Sequence, residues 1–218
     1  MSFAASFPPA PQKPVAIRKG SSRWLIAGLL VLAAMPLTFG VLRLLQLAGL
    51  ADAMPPAVAS PVPLILHIVG ALLYAVLGAF QFSASIRRRW PLWHRAAGRT
   101  ALVGALLVAL SALWLTGLYV TPSLGGLVLA GFRIVVVTAM LASIVLGVAA
   151  VLRRDIARHR EWMIRAYALG LGAATQMLVL MVAEMISGGP PTELNRALLS
   201  GLAWGINVVI AEWSIRRG

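Results

Sequence analysis

The sequence of 218 residues is 60% hydrophobic and 11% charged, and it carries a net charge of +13 with no cysteine. The charged share is about half that of a soluble domain, and a soluble chain of this length could not bury so much apolar surface in one core. Disulfides, thiolate metal sites and a cysteine nucleophile are excluded, and nucleic acid is not expected as a partner, because the basic residues lie between apolar runs.

Six apolar runs are each long enough to cross a bilayer, for which roughly 20 residues are needed. Proline, glycine or charge separates them, and because backbone groups cannot stay unpaired in lipid, each run is predicted to be a helix. The predicted spans are residues 24–45, 64–82, 100–120, 127–152, 164–186 and 198–215. We therefore expect an all-α, six-span bundle over residues 24–218, preceded by a proline-rich, disordered cytoplasmic tail of residues 1–23.

The basic residues are divided unequally between the two sides of this bundle. Of the 19 Lys and Arg residues, only Arg43, Arg133 and Arg196 fall toward one side, and the other 16 fall in both termini and in the second and fourth loops. Cytoplasmic loops carry the excess of Lys and Arg, so both ends are predicted to be cytoplasmic. A cleaved signal peptide is less favoured for the first span, because its apolar run is longer than usual and contains Arg43.

The second span places its polar residues on one stripe. His67, Tyr74 and Gln81 are seven residues apart in succession, a spacing that shares one helix face, so they are predicted to form an inward polar seam, with Leu73 and Leu77 toward lipid. Gln81 is expected to hydrogen-bond between helices. His67 lies near the outer surface and could instead serve as a proton relay or a second ligand site.

Two inner loops, the second and the fourth, resemble each other. One contains Arg88-Arg89 and His94-Arg95, and the other contains Arg153-Arg154 and His159-Arg160, with the two histidines 65 residues apart. This similarity predicts a parallel repeat of span pairs two–three and four–five about an axis along the membrane normal. Such symmetry would bring the two histidines to equal depth.

The remaining polar residues of the fifth and sixth spans are interpreted as structural. Gln176 and Asn207 are expected to hydrogen-bond between helices. Glu212 lies one turn before Arg216, and this spacing predicts an ion pair within one helix.

The histidine pair is the main candidate site. Two imidazoles at equal depth are what a b-type haem needs as axial ligands, so His94 and His159 are predicted metal ligands of a haem. Arginines nearby could hold the haem propionates by charge-assisted hydrogen bonds. These predicted cofactor-binding arginines are Arg95, Arg99, Arg160 and Arg165. Because both histidines lie at the membrane interface, the pair could instead bind an anionic headgroup, phosphate or a quinone, or be purely structural.

Three sequence blocks, each containing one histidine, carry a resemblance to a known family. They are residues 67–82, 93–99 and 159–168. In this combination they resemble the bacterial membrane proteins grouped as domain of unknown function 2306, over about residues 60–185. The resemblance implies a multi-pass protein of the bacterial inner membrane. It brings no established activity, cofactor or catalytic residue.

Three functions of different classes follow. The first is electron transfer with haem b held between spans two to five. The second is a non-catalytic membrane partner or respiratory-complex assembly factor, whose basic loops contact an acidic protein or anionic lipid headgroups. The third is a small transporter, ranked last because no acidic residue and no glycine or proline break is visible near mid-membrane. No acid pair, nucleophile elbow or phosphate loop is visible, so no catalytic residue is assigned.

Overall fold

The computed structural model describes residues 21–52 and 60–217, and this part of the chain contains eight helices and no strand. The helices are α1 (Ser21–Leu47), α2 (Pro61–Gln81), α3 (Ala84–Arg89), α4 (Pro91–Tyr119), α5 (Leu124–Leu152), α6 (Ile156–Gly170), α7 (Gly172–Ser187) and α8 (Glu193–Arg216). The all-α prediction is confirmed. Of the predicted disordered tail, residues 1–20 lie outside the described residues, and residues 21–23 belong to α1.

Five described helices are individually long and apolar enough to cross a membrane, namely α1, α2, α4, α5 and α8. Helices α6 and α7 pass the same test together but meet at an angle of 42°. The six predicted spans are therefore present if α6 and α7 form one broken span. The prediction treated residues 164–186 as one continuous helix, and in this detail it was wrong.

Polar caps and turn residues set several helix ends. The Ser123 hydroxyl accepts the Gly126 N–H at 3.0 Å at the start of α5, and the Asp155 carboxylate accepts the Arg158 N–H at 3.0 Å at the start of α6. Helix α7 ends at Ser187, and the following Gly188 adopts the left-handed conformation with φ 70°. Such caps satisfy orphan backbone groups, so short loops suffice between neighbouring helices.

Two helix pairs form the most extensive contacts, α2 with α4 and α5 with α6. These are the pairs that the predicted repeat relates, although the repeat itself stays a prediction. Helix α8 packs against α5, α6 and α7, and α1 lies at the edge against α2 and α7. Ala33 is the only residue of α1 buried in the described structure.

Helices α2 and α4 touch through their backbones. A methyl group on Gly70 would lie 2.8 Å from the carbonyl oxygen of Gly104, and one on Gly104 would lie 2.8 Å from the carbonyl oxygen of Gly70. Small residues allow this approach in membrane bundles, where dispersion contacts replace the hydrophobic effect as the driving force.

Candidate functional site

His94 and His159 occupy equivalent places in their helices. Each is the fourth residue of its helix, His94 in α4 and His159 in α6. The backbone N–H of His94 donates to the Trp90 carbonyl, and that of His159 donates to the Asp155 carbonyl, both at 3.0 Å. Both side chains are half-buried. The helix starts thus hold the two imidazoles at matching positions in neighbouring hairpins.

Burial lowers the pKa of the His94 imidazole, and the neighbouring Arg87 and His159 side chains lower it further. His159 Nδ1 lies 2.8 Å from the carbonyl oxygen of Gly147, and because a carbonyl only accepts, Nδ1 must carry the hydrogen. In the neutral form of the ring, Nε2 of His159 therefore carries a lone pair. His94 Nδ1 is buried and has no hydrogen-bond partner within the described residues.

Close packing of α5 on α6 makes the bond to Gly147 geometrically accessible. A methyl group on Gly147 would overlap the end of the Met163 side chain and lie 3.2 Å from Cβ of Trp162. The absence of a side chain at this position lets α6 approach the carbonyl that orients His159.

The four predicted propionate-binding arginines differ in availability. Arg95, Arg99 and Arg160 are exposed. Arg165 is engaged: its Nε donates to Glu212 Oε1 at 2.6 Å and a terminal nitrogen donates to Oε2 at 3.1 Å. Three of the four side chains are therefore open to an anion, and the fourth is held by a carboxylate.

The ion pair between Arg165 and Glu212 also corrects a prediction that was made from sequence spacing. Glu212 was expected to pair with Arg216 in its own helix, but its ion pair within the described structure is with Arg165 on α6. The Arg165 guanidinium lies 4.6 Å from the ring centroid of Trp162. The ion pair between Arg165 and Glu212 ties α6 to α8 near the basic end of the bundle.

The residues at the histidine pair fit a haem in number and chemistry. No group of three or more His, Cys, Asp or Glu residues that could hold a bare metal ion occurs in the described part of the chain. A haem needs only two axial protein ligands, and ligating histidines usually donate their other ring N–H to a carbonyl or carboxylate. His159 already makes that bond, and His94 has a buried ring nitrogen without a partner.

The predicted polar seam divides into two parts. His67 Nδ1 lies 3.1 Å from the Ser111 hydroxyl, and Tyr74 packs edge-on against the ring of Tyr167 with centroids 5.5 Å apart. These two seam residues face other helices. Gln81 instead donates to the Leu77 carbonyl of its own helix at 3.3 Å, so the expected interhelical bond is not the one observed.

The side of α2 that carries Leu73 and Leu77 does not face lipid alone. Leu73 and Leu77 are half-buried. Cβ of Leu73 lies 3.0 Å from the position that a methyl group on Gly104 would take, so the expectation that Leu73 faces lipid was wrong. Helix α2 contacts α1, α4 and α6, and it therefore has more than one buried side.

The break between α6 and α7 is a feature that the sequence interpretation missed. It falls at Leu171, near the middle of the combined helix Ile156–Ser187. The Asn207 amide donates to the Ala168 carbonyl at 3.0 Å, and the Thr175 hydroxyl donates to the Asn207 side-chain oxygen at 2.8 Å. Polar side chains from neighbouring helices can satisfy backbone groups near a break in this way. Asn207 thus makes its predicted interhelical bond, and the two glycines flanking Leu171 were the available signal.

Gln176 does not make the interhelical hydrogen bond that was predicted for it. Its side-chain nitrogen is buried and has no hydrogen-bond partner in the described structure.

A cavity of about 180 Å³ lies beside the break. Its walls are formed by α1, α2, α4, α6 and α7, and most of the lining residues are small or aliphatic. The polar side chains in the lining are those of His67, Tyr74 and Tyr167. A discontinuous helix beside a cavity is a common setting for ligand sites in transporters. One of the two reasons for ranking a transporter last, the absence of a helix break, therefore no longer holds.

The comparisons with known proteins identify a family. The family model described as predicted membrane protein (DUF2306) matches residues 64–215, which include the three histidines, the break and the cavity-lining residues of α2, α4, α6 and α7. Neither the curated proteins nor the solved structures contain a match to this chain. The match covers more than half of the sequence, and the chain therefore belongs to the DUF2306 family of predicted membrane proteins.

Proposed function

We propose that this membrane protein binds a b-type haem between His94 and His159 and transfers electrons within a bacterial inner membrane. The observation that carries the proposal is the 2.8 Å bond from His159 Nδ1 to the Gly147 carbonyl. This bond fixes the tautomer and leaves Nε2 as a ligand, as a hydrogen-bonded outer partner does in most metal-bound histidines. The buried, unpartnered ring nitrogen of His94 supports the same site.

When bound, the haem would supply one-electron oxidation and reduction. The protein residues would hold it: His94 and His159 as ligands of the iron, with Arg95, Arg99 and Arg160 near the propionates. Exposed arginines suit this task because a guanidinium binds a carboxylate by two parallel hydrogen bonds. Arg165 is better assigned to structure, since it is already bound to Glu212.

The exposed arginines also favour a second candidate, a non-catalytic partner or assembly factor. The side chains of Arg95, Arg99 and Arg160 make no hydrogen bond or ion pair with described residues. A cluster of this kind attracts anionic lipid headgroups or an acidic protein surface. This role needs the arginines and does not need the two imidazoles, so substitutions separate the two candidates.

The proposed orientation places the basic end of the bundle in the cytoplasm. Its support is the asymmetry of Lys and Arg, which sets topology in multi-span proteins. A reporter active only in the cytoplasm should work when fused after Gly218, and one active only in the periplasm should work when fused after Gly125. The reverse result at either fusion point would overturn the six-span arrangement.

The haem proposal is tested on the purified full chain by absorption spectroscopy. The natural chain should show a Soret band, and His94→Ala or His159→Ala should each remove most of it. The double variant should lose little more, because the two ligands act as a unit and their effects are not additive. His67→Ala is the matched control and should keep the band.

Two other outcomes would contradict the proposal. A band that depends on His67 and not on the pair would show that haem lies elsewhere. A colourless protein that binds anionic vesicles, and loses this binding with Arg95→Gln and Arg160→Gln but not with His159→Ala, would favour the partner or assembly role.

A further inference from the structure

We propose that the cavity beside the α6–α7 break binds the ring of a lipid-soluble quinol, held between the Tyr74 hydroxyl and Nε2 of His67. This site is separate from the histidine pair, and it does not depend on whether haem is bound there. Three properties of the cavity identify the ligand class: its hydrogen-bonding groups, its lack of charge and its size.

The first property is an unused donor and an unused acceptor. The Ser111 hydroxyl donates its hydrogen to main-chain carbonyls of its own helix, with the Leu107 oxygen at 2.5 Å and the Val108 oxygen at 3.1 Å. His67 Nδ1 lies 3.1 Å from the same hydroxyl, so Nδ1 carries the hydrogen and Nε2 of the neutral ring is left as an acceptor.

The two tyrosines differ in the same respect. Tyr167 donates its hydroxyl hydrogen to the Ala75 carbonyl at 2.7 Å. The Tyr74 ring contacts that of Tyr167, but the Tyr74 hydroxyl makes no hydrogen bond with described residues. The cavity therefore offers one free hydroxyl donor at Tyr74 and one free nitrogen acceptor at His67. A ligand with a hydroxyl group at each end satisfies both, since a hydroxyl donates and accepts.

The second property is the absence of charge. None of the residues lining the cavity is Asp, Glu, Lys or Arg. A charged ligand inside the membrane would need a partner to offset its desolvation. The lining therefore selects a neutral molecule, and the apolar surroundings favour one that arrives from the lipid.

The third property is size. The cavity measures about 180 Å³, and an apolar protein cavity of about 150 Å³ is known to hold a benzene molecule. The space therefore suits one substituted six-membered ring. The Cα atoms of His67 and Tyr74 are two helical turns apart, about 10.5 Å along α2, so a ring with an oxygen at each end can lie between the two side chains.

The edge helix provides a path for an apolar tail. Helix α1 lines the cavity through Pro36, Leu37 and Gly40 and packs against α2 and α7. Proline lacks a backbone N–H and interrupts the helical hydrogen bonds, and only Ala33 of α1 is buried in the described structure. A tail attached to the ring can therefore leave toward lipid beside α1.

Calorimetric titration of the full chain in detergent with decylubiquinol tests this site. Tyr74→Phe keeps the ring contact and removes only the hydroxyl, so it should weaken binding about threefold to tenfold, the effect of one hydrogen bond. His67→Leu should weaken it to a similar extent. Tyr119→Phe is the control, because Tyr119 is the last residue of α4 and does not line the cavity, and it should bind the quinol as the natural chain does.

Filling the cavity gives an independent result. Ala71→Leu should abolish binding, and Ala71→Val serves if the larger side chain prevents folding. Unchanged affinity in both Tyr74→Phe and His67→Leu, or in a folded Ala71 variant, would overturn the proposal. Toluene binding that matches decylubiquinol binding and is unaffected by Tyr74→Phe would show an apolar cavity without quinol recognition. The His94→Ala/His159→Ala chain should still bind decylubiquinol, so failure of the haem proposal leaves this test intact.

Discussion

Alanine in place of Gly104 tests whether backbone contact between α2 and α4 holds this bundle together. A methyl group at this position would lie 2.8 Å from the Gly70 carbonyl oxygen and 3.0 Å from the backbone nitrogen of Tyr74. Both are main-chain atoms of α2, so the clash can be relieved only by moving one helix away from the other. Such a movement would also displace Tyr74 from the cavity.

Helix α4 contains two further glycines that serve as control positions. At Gly98 a methyl group would lie 3.1 Å from the Gln81 side-chain oxygen, the far end of a flexible side chain, and at Gly117 it would meet no atom within 4 Å. Each substitution gains the same helix propensity, about 0.5–1 kcal/mol. The difference in unfolding free energy between Gly104→Ala and Gly117→Ala therefore isolates the cost of overpacking, about 1–3 kcal/mol.

Thermal denaturation of the purified variants in detergent, followed by tryptophan fluorescence, measures this difference. For a chain of this length, 1 kcal/mol corresponds to about 2–4 °C, so the midpoints of the two variants should differ by about 2–12 °C. We expect Gly117→Ala to be the most stable, Gly98→Ala intermediate and Gly104→Ala the least stable. Equal midpoints for Gly104→Ala and Gly117→Ala would refute the close contact of α2 with α4.

Three further substitutions test individual contacts by the same thermal assay. Glu212→Gln should lower stability by about 1–3 kcal/mol, because Arg165 loses a charge-assisted, two-point partner; an unchanged midpoint would contradict the α6–α8 ion pair. Asn207→Ala should cost a similar amount and speed amide hydrogen exchange near the α6–α7 break, since a main-chain carbonyl there loses its donor; unchanged exchange would show that Asn207 does not support the break. Gly188→Ala should cost about 1 kcal/mol because of its positive φ, while Gly189→Ala should not, and equal effects would argue against the left-handed helix end.

Hydropathy predicted the helices well because each apolar run must pair its own backbone in lipid. It placed the start of the third span at residue 100, whereas α4 begins at Pro91. Residues 91–99 include two arginines and a histidine, which a helix accommodates outside the hydrocarbon. The boundaries of the apolar run and of the helix therefore differ wherever a helix extends into the interface.

Local sequence patterns did not predict contacts between residues that are distant in sequence. Arg216 was chosen as the partner of Glu212 because it is four residues away, but Arg165, 47 residues away in sequence, forms the bidentate pair. Local spacing describes one helix surface, and the choice between two arginines depends on how α6 packs against α8. The break at Leu171 was missed for the same reason, because the hydrogen bond that supports it comes from Asn207 in another helix.

The seven-residue spacing in α2 predicted correctly that His67 and Tyr74 point into the bundle. The same reasoning failed for Leu73 because it assumes one buried face, and α2 contacts helices on several sides. A periodic pattern is informative for a helix at the edge of a bundle. For a central helix, the residues between the polar positions also pack against neighbours.

Two reciprocal contacts between α2 and α6 position the two tyrosine rings that line the cavity. The Tyr74 ring lies where a methyl group on Gly170 would be, and the Tyr167 ring lies against Gly78 in the same way. A side chain at either glycine would push the opposite ring away and separate the helices. Because the partners are 96 and 89 residues apart in sequence, neither contact appears as a local motif. The two glycines thus set the positions of both rings, so the free Tyr74 hydroxyl, and with it any ligand selectivity of the cavity, depends on backbone packing as much as on the polar residues themselves.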